Sequence, residues 1–235
     1  MFTLLNLACG TAGIVFVMEG QWRMSVYLIM AAALFDFADG MAARLLDARS
    51  EVGKQLDSLA DMLSFGLLPA VMVYSIFRHE FAVEGAGEIP PALQWIMLAG
   101  ILIIPVLSAI RLARFNLQTG SQEFFSGLPT PAHALFWTGL YWQVMQSESI
   151  FGQRINPFFL WAVMLIMAFH MIVPLPMYSL KFSHFRFRGN LIRYLLILIS
   201  VLILAFTGLS GLSLVVLTYI LLSLLNLLLQ MRVSR

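Results

Sequence analysis

The sequence has little charge and almost no cysteine. Asp, Glu, Lys and Arg make up only 11% of its 235 residues, whereas 60% are hydrophobic. A soluble domain of this length needs far more charge to cover its surface, so that class is excluded. Cys9 is the only cysteine, which excludes an intrachain disulfide and a metal site built from cysteine thiolates. The four histidines are scattered without metal-ligand spacing, and we assign none of them a role.

Long apolar runs dominate the chain, and they lack the alternation of polar and apolar residues that a transmembrane β-barrel requires. Several runs reach the roughly 20 residues needed to cross a hydrocarbon core. The first run has no basic flank and no convincing cleavage site, so we expect a membrane helix there and not a removed signal peptide. The sequence therefore predicts an all-α, polytopic transmembrane bundle of about eight helices in a single domain, residues 1–235.

The eight predicted segments cover residues 2–18, 22–46, 55–77, 92–115, 129–147, 156–180, 190–208 and 211–231. We expect a core at about 3–190 and a C-terminal helical hairpin at 190–235. If the N-terminus is cytoplasmic, all of the 14 lysines and arginines except Arg23, Arg78 and Arg154 fall on the cytoplasmic side. Cytoplasmic loops are enriched in Lys and Arg, so the sequence predicts an inner-membrane protein with both termini cytoplasmic.

Half of the 12 acidic residues lie in one stretch, DFADGMAARLLDARSEVGKQLDSLAD, which is flanked by apolar runs. Asp36 and Asp39 are three residues apart near the end of the second predicted helix. Asp57 and Asp61 are four residues apart near the start of the third. Each spacing places both side chains on one helix face. Because the two helices are antiparallel neighbours, we expect the four carboxylates to converge at the cytoplasmic side.

This cluster needs a counter-charge. One aspartate at membrane depth costs roughly 3 kcal/mol, so four cost on the order of 10 kcal/mol before their mutual repulsion is counted. Carboxylate oxygens are ligands that Mg²⁺, Mn²⁺ or Ca²⁺ prefer, and two ions can share four carboxylates. Two adjacent hard cations usually bind phosphate oxygens in phosphoryl transfer. The pattern favours such a site over an ion-pair network or an acidic ring that conducts cations.

Small residues accompany the aspartates. Gly40 follows the second aspartate directly, and Gly53 precedes the third by one helical turn. Glycine in a helix interior costs about 1 kcal/mol relative to alanine. We therefore expect both glycines, with Ala43, to form a flat wall where a ligand approaches the backbone. Arg44 is placed to meet a phosphate.

One pattern in this stretch resembles the signature of the CDP-alcohol phosphatidyltransferase family: Asp36-x-x-Asp39-Gly40-x-x-Ala43-Arg44-(x)8-Gly53-x-x-x-Asp57-x-x-x-Asp61. Every fixed position is matched at its spacing. RLARFN (Arg111–Asn116) and FSGLPTPA (Phe125–Ala132) resemble the membrane-integral phosphatidylserine synthase branch, and Asn6 after Thr3 fits that branch as well.

This resemblance implies an enzyme that transfers the phosphatidyl group of CDP-diacylglycerol to L-serine, giving phosphatidylserine and CMP. It implies two divalent cations per site, Mg²⁺ or Mn²⁺, held by Asp36, Asp39, Asp57 and Asp61. Asp61 is then also the catalytic general base, and the CDP moiety lies against Gly40, Ala43, Arg44 and Gly53. The implied partners are the two substrates, the lipid bilayer and a second copy of the chain in a homodimer, with no nucleic acid.

Other polar residues leave alternatives open. Arg111 and Arg114 are either cytoplasmic anchors or a guanidinium pair that binds the acceptor carboxylate or a lipid phosphate. Asn116 either caps a helix or contacts substrate. GLPTPA predicts a helix start, because proline is tolerated in a first turn. KFSHFRFRGNLIR is either a belt that attracts anionic lipid or a segment that closes over the head group.

Two alternative functions remain. The first is the same transfer to another acceptor, such as glycerol 3-phosphate, inositol phosphate or choline. The second is cation transport through the aspartates. Transport expects carboxylates at mid-membrane on several helices, whereas the six predicted segments other than the second and third contain no Asp or Glu, and the four aspartates cluster at one membrane face.

Overall fold

The computed structural model describes residues 1–45, 50–82, 89–117, 124–146, 155–178 and 190–233. Within these ranges the chain is almost entirely helical, as predicted. The helices are α1 (Phe2–Met18), α2 (Trp22–Leu45), α3 (Glu51–Asp61), α4 (Leu68–Ala82), α5 (Pro91–Gly100), α6 (Ile103–Leu117), α7 (Thr130–Gln146), α8 (Pro157–His170), α9 (Leu191–Thr207) and α10 (Leu212–Val233). Two short strands, β1 (Phe124–Ser126) and β2 (Pro176–Tyr178), pair antiparallel.

The eight predicted apolar segments match these helices, with the third and fourth segments each covering a pair. The third begins earlier than predicted, at Glu51, because the Ser50 hydroxyl caps α3 by accepting a hydrogen bond from the Gly53 amide at 3.0 Å. The sixth segment, 156–180, is wrong at its end. There α8 stops at His170, and the chain continues into β2. The prolines that follow α8 have no backbone N–H, so they cannot make the hydrogen bonds that would extend the helix.

Proline accounts for two interruptions. A π-helical segment, Met62–Leu67, joins α3 to α4 and lies just before Pro69. Proline cannot donate to the carbonyl one turn earlier, and helices widen or kink at such positions. Pro105 likewise follows the break between α5 and α6. π-Helical segments are frequent at functional sites, and this one begins directly after Asp61.

Helix ends from six elements meet at one end of the bundle. Four hydrogen bonds define this end: Thr3 to Asp39, Lys54 to the Asn116 carbonyl, Arg111 to Thr130, and Arg114 to the Ile172 carbonyl. The first bond joins the start of α1 to the last turns of α2, and the other three join the starts of α3 and α7 and the end of α8 to the end of α6. A fifth bond, from Asn6 on α1 to Asp61 on α3, connects the two groups. The acidic stretch therefore lies among several helices at a single end of the molecule.

The core is centred on α4 and α7, whose largest buried side chains include Phe77, Trp137 and Tyr141. In contrast, α9 exposes large apolar side chains such as Leu198, Val201 and Phe206. This distribution fits a bundle whose outer helices face lipid.

Within the described part of the chain, four helical stretches are long and apolar enough to cross a membrane: Trp22–Ala43, Glu51–Phe81, Pro91–Leu117 and Leu191–Leu227. The last is interrupted at Gly208, which has φ +60°. Glycine adopts a positive φ without steric cost, and this backbone conformation cannot continue a right-handed helix, so α9 ends here. Beyond it, α10 contacts both α9 and α7.

Candidate active site

Three carboxylates from two helices come together at the end of the bundle described above. Asp36 lies on α2, and Asp57 and Asp61 lie one turn apart on α3. One carboxylate oxygen of each lies within 4.8 Å of the other two. Asp61 is the most buried of them, with only 9% of its surface exposed. We call these three residues the acidic cluster.

Asp39, the fourth predicted ligand, lies beside the acidic cluster and not within it. Its Oδ2 accepts a hydrogen bond from Thr3 Oγ1 at 2.6 Å. It is near enough to Asp36 and Asp57 for the negative charges to repel one another. The start of α1 therefore fixes this carboxylate next to the other three.

Asp61 is also positioned by α1. The Asn6 amide nitrogen donates to Asp61 Oδ1 at 3.1 Å, and both side chains are buried. The Ser64 hydroxyl, in the π-helical segment, donates to the Asn6 carbonyl at 3.0 Å. Gly10 permits this close approach, because a Cβ there would lie 2.2 Å from Ser64 Oγ. Packing of α1 on the π-helical segment thus sets the orientation of Asp61.

The acidic cluster fits a divalent cation. Two unit charges 4.8 Å apart repel by about 3.5 kcal/mol at an effective dielectric constant of about 20. No lysine or arginine among the described side chains forms an ion pair with these aspartates. A set of carboxylate oxygens from three residues is the donor set that Mg²⁺ and Mn²⁺ prefer. The repulsion and the donor chemistry both favour a bound cation.

The residues predicted to hold the CDP moiety lie on the two helix ends next to the acidic cluster. Gly40 and Ala43 lie in the last turns of α2, and both are partly buried. Arg44 is in the final turn of α2, but its side chain lies outside the described part of the chain. Gly53 is exposed in the first turn of α3, and a Cβ there would lie 2.9 Å from the capping Ser50 hydroxyl.

The two arginines of RLARFN have different environments, although their spacing placed them on one face. Arg111 is partly buried and donates from Nη1 to Thr130 Oγ1 at 2.9 Å. It is also near enough to Asp61 for the opposite charges to attract. Arg114 is exposed, and its Nη1 lies 3.4 Å from the Ile172 carbonyl oxygen. Of these two arginines, Arg111 is therefore the one that lies near the acidic cluster.

Asn116 joins the end of α6 to α3 through two hydrogen bonds. Its side-chain amide donates to Ser58 Oγ at 2.7 Å, and its carbonyl accepts from Lys54 Nζ at 2.5 Å. Ser58 lies between Asp57 and Asp61 in sequence. Asn116 thus supports the helix that carries two carboxylates of the acidic cluster.

The family comparison agrees with this geometry. A sequence profile described as CDP-alcohol phosphatidyltransferase matches residues 1–174, well over half of the chain. The chain belongs to the CDP-alcohol phosphatidyltransferase family. The matched region contains the complete aspartate pattern and the helices α1, α6 and α7 that surround it. Together with the four long apolar stretches, this membership makes the chain an integral membrane protein.

Within this family, the chain is similar to curated proteins that are named as serine phosphatidyltransferases or as an archaetidylserine synthase. The CDP-diacylglycerol–serine O-phosphatidyltransferase of Mycobacterium leprae is 39% identical over 145 residues, which are 59% of this chain and 44% of the relative. The protein of the same name in Bacillus subtilis is 31% identical over 131 residues, 56% of this chain and 67% of the relative. The archaetidylserine synthase of Methanothermobacter thermautotrophicus is 34% identical over 154 residues, 63% and 59% respectively. The aligned region spans less than half the length of the mycobacterial relative.

Some neighbours of the site were missed or only noted by sequence reasoning. Ser58 and Ser64 belong to no recognisable motif, and the GLPTPA pattern predicts only a helix start at Thr130, where the structure places it. The only available signal was that polar residues occur in helices that are otherwise apolar. The predicted basic segment KFSHFRFRGN lies outside the described residues up to position 189.

Proposed function

We propose that this chain transfers the phosphatidyl group of CDP-diacylglycerol to the hydroxyl of L-serine and releases CMP. The observation that carries the proposal is the convergence of Asp36, Asp57 and Asp61 within 4.8 Å. Relatives named for transfer to serine, in bacteria and in an archaeon, support serine as the acceptor.

The acidic cluster and Asp39 are proposed to hold two divalent cations, Mg²⁺ or Mn²⁺. Bound cations would offset negative charge on the lipid diphosphate and on the departing CMP. The two helix ends beside them would hold the CDP moiety. In that pocket we place Gly40, Ala43, Arg44 and Gly53.

Asp61 acts as the general base. A serine hydroxyl is a weak nucleophile and needs a base within hydrogen-bond reach. Because Asn6 already donates to Oδ1 of Asp61, Oδ2 receives the hydroxyl proton. The serine oxygen forms a bond to the phosphorus that carries diacylglycerol. The bond from this phosphorus to the CMP oxygen breaks, and its electron pair leaves with CMP.

The site is placed at the cytoplasmic face of the inner membrane, with both termini cytoplasmic. There a water-soluble amino acid meets a lipid head group while the acyl chains stay in the bilayer. The distribution of lysine and arginine supports this orientation. We further propose that the chain acts as a homodimer, as its family resemblance implies.

The test is CMP release by purified protein from CDP-diacylglycerol with Mn²⁺ or Mg²⁺, with and without serine. Asp61→Asn should lower turnover by about 10²–10⁴-fold while keeping lipid binding. Glu51→Gln, which changes an exposed carboxylate at the start of α3, is the matched control. Glycerol 3-phosphate, inositol phosphate and choline are compared as acceptors. Release driven by one of them and not by serine would identify a different acceptor, and cation flux without any CMP release would identify a transporter.

A further inference from the structure

His133 is fully buried near the start of α7, yet one of its ring nitrogens lacks a partner. Its Nε2 lies 3.0 Å from the indole nitrogen of Trp137. An indole N–H can only donate, so Nε2 accepts, and in the neutral ring the proton is on Nδ1. That Nδ1–H is buried and has no hydrogen-bond partner among the described residues. Buried donors are almost always paired, so this one points to a bound group.

Arg111 supplies a second donor of the same kind. Its Nη1 is held by Thr130, which precedes His133 by one helical turn and so shares its face of α7. Its Nε is buried and has no hydrogen-bond partner among the described residues. The bond to Thr130 places the guanidinium about one helical turn from His133, and α6, which carries Arg111, packs against both α3 and the π-helical segment that follows Asp61.

We propose that Arg111 Nε–H and His133 Nδ1–H together bind the carboxylate of the amino-acid acceptor. The inference rests on the proposed function and adds His133 to it as a residue that determines acceptor specificity. A carboxylate offers two oxygens, which can pair with both donors, and the bond to guanidinium is charge-assisted. In serine only two carbon atoms separate the carboxylate carbon from the hydroxyl oxygen. A carboxylate held at Arg111 therefore leaves the hydroxyl near Asp61.

This arrangement discriminates between acceptors. An amino alcohol without a carboxylate offers the guanidinium no negative charge and leaves at least one of the two donors buried and unpaired, and such a mismatch is rejected more strongly than a missing methylene. Serinol, in which a CH₂OH group replaces the carboxylate of serine, isolates this difference. We expect the wild-type protein to prefer serine to serinol mainly through KM.

Two substitutions separate this role from packing. His133→Asn places an amide nitrogen where Nδ1 lies but cannot reach Trp137. His133→Gln reaches the position of Nε2 and can accept from Trp137, but it leaves no donor at Nδ1. We expect His133→Gln to raise the KM for serine about tenfold and to leave the KM for CDP-diacylglycerol unchanged. His133→Asn should retain most of the serine affinity, even if its melting temperature falls.

Each outcome decides a separate question. If both variants keep the wild-type KM for serine, or if only His133→Asn raises it, His133 merely supports Trp137 and the inference is wrong. If neither variant folds, Arg111→Lys, which keeps the charge and removes Nε, must lose the preference for serine over serinol. A wild-type protein that releases no CMP with serine would instead overturn the proposed function itself.

Discussion

Asn6 and Asp61 are separated by 55 positions and are joined by one buried hydrogen bond, from Nδ2 to Oδ1 at 3.1 Å. The backbone carbonyl of Asn6 also accepts from Ser64. A single residue of α1 therefore contacts both the proposed base and the π-helical segment that follows it. The orientation of Asp61 depends on a helix that lies outside the aspartate pattern.

Asn6→Ala should lower kcat by about tenfold, because a hydrogen bond to a charged group contributes roughly 1.5–3 kcal/mol. The bond from Ser64 goes to the backbone of residue 6, so the substitution leaves it in place. Steady-state CMP release measures the effect, and the KM for CDP-diacylglycerol should change little. Thr11→Ala is the control on the same helix, since that exposed hydroxyl donates to the Leu7 carbonyl within α1. A wild-type kcat for Asn6→Ala would show that Asp61 needs no support from α1.

Gly10→Ala should destabilise the protein by about 1–3 kcal/mol, because the added methyl group overpacks a tight contact. Its Cβ would lie 2.2 Å from Ser64 Oγ and 2.8 Å from Ser64 Cα, which is backbone and cannot move aside. Gly13→Ala is the matched comparison. There the added Cβ would meet a terminal methyl of Leu68 at 2.6 Å, and that side chain can change rotamer. Thermal melting in detergent should show a larger loss for Gly10→Ala, and equal losses would contradict the packing described for α1.

The orientation can be tested with single cysteines, because replacing Cys9 with serine removes the only thiol. Val52 is 78% exposed in the first turn of α3, and Met18 is 77% exposed at the end of α1. The proposed topology places Val52→Cys at the cytoplasmic face and Met18→Cys at the opposite face. A membrane-impermeant thiol reagent added to intact cells should label only Met18→Cys. Labelling of Val52→Cys alone would invert the proposed topology.

Local geometry made much of the site predictable. Spacings of three and four residues on two neighbouring helices determine which faces the aspartates occupy, so Asp36, Asp57 and Asp61 could be brought together from the sequence. The interruptions at Pro69 and Pro105 likewise have a local cause, the missing proline N–H.

The remaining contacts of the site depend on packing between helices that are distant in sequence, which the sequence did not predict. Arg111 and Arg114 are three residues apart, but Arg111 bonds to α7 whereas Arg114 bonds just beyond the end of α8. Their spacing alone could not predict these different partners. The contacts from Thr3 and Asn6 depend on how α1 packs against α2 and the π-helical segment. His133 belongs to no spacing pattern, and only its burial beside Trp137 singles it out.

The most direct measurement is Mn²⁺ affinity, determined by electron paramagnetic resonance on purified protein without substrate. Asp36→Asn should weaken Mn²⁺ binding by at least about tenfold, because it removes a charged ligand from the acidic cluster. Without metal, the melting temperature should not fall, since one of three mutually repelling charges has been removed. Glu51→Gln, on the exposed face of α3, should bind Mn²⁺ like the wild type. Equal Mn²⁺ affinity in the wild type and Asp36→Asn would contradict a metal site formed by Asp36, Asp57 and Asp61.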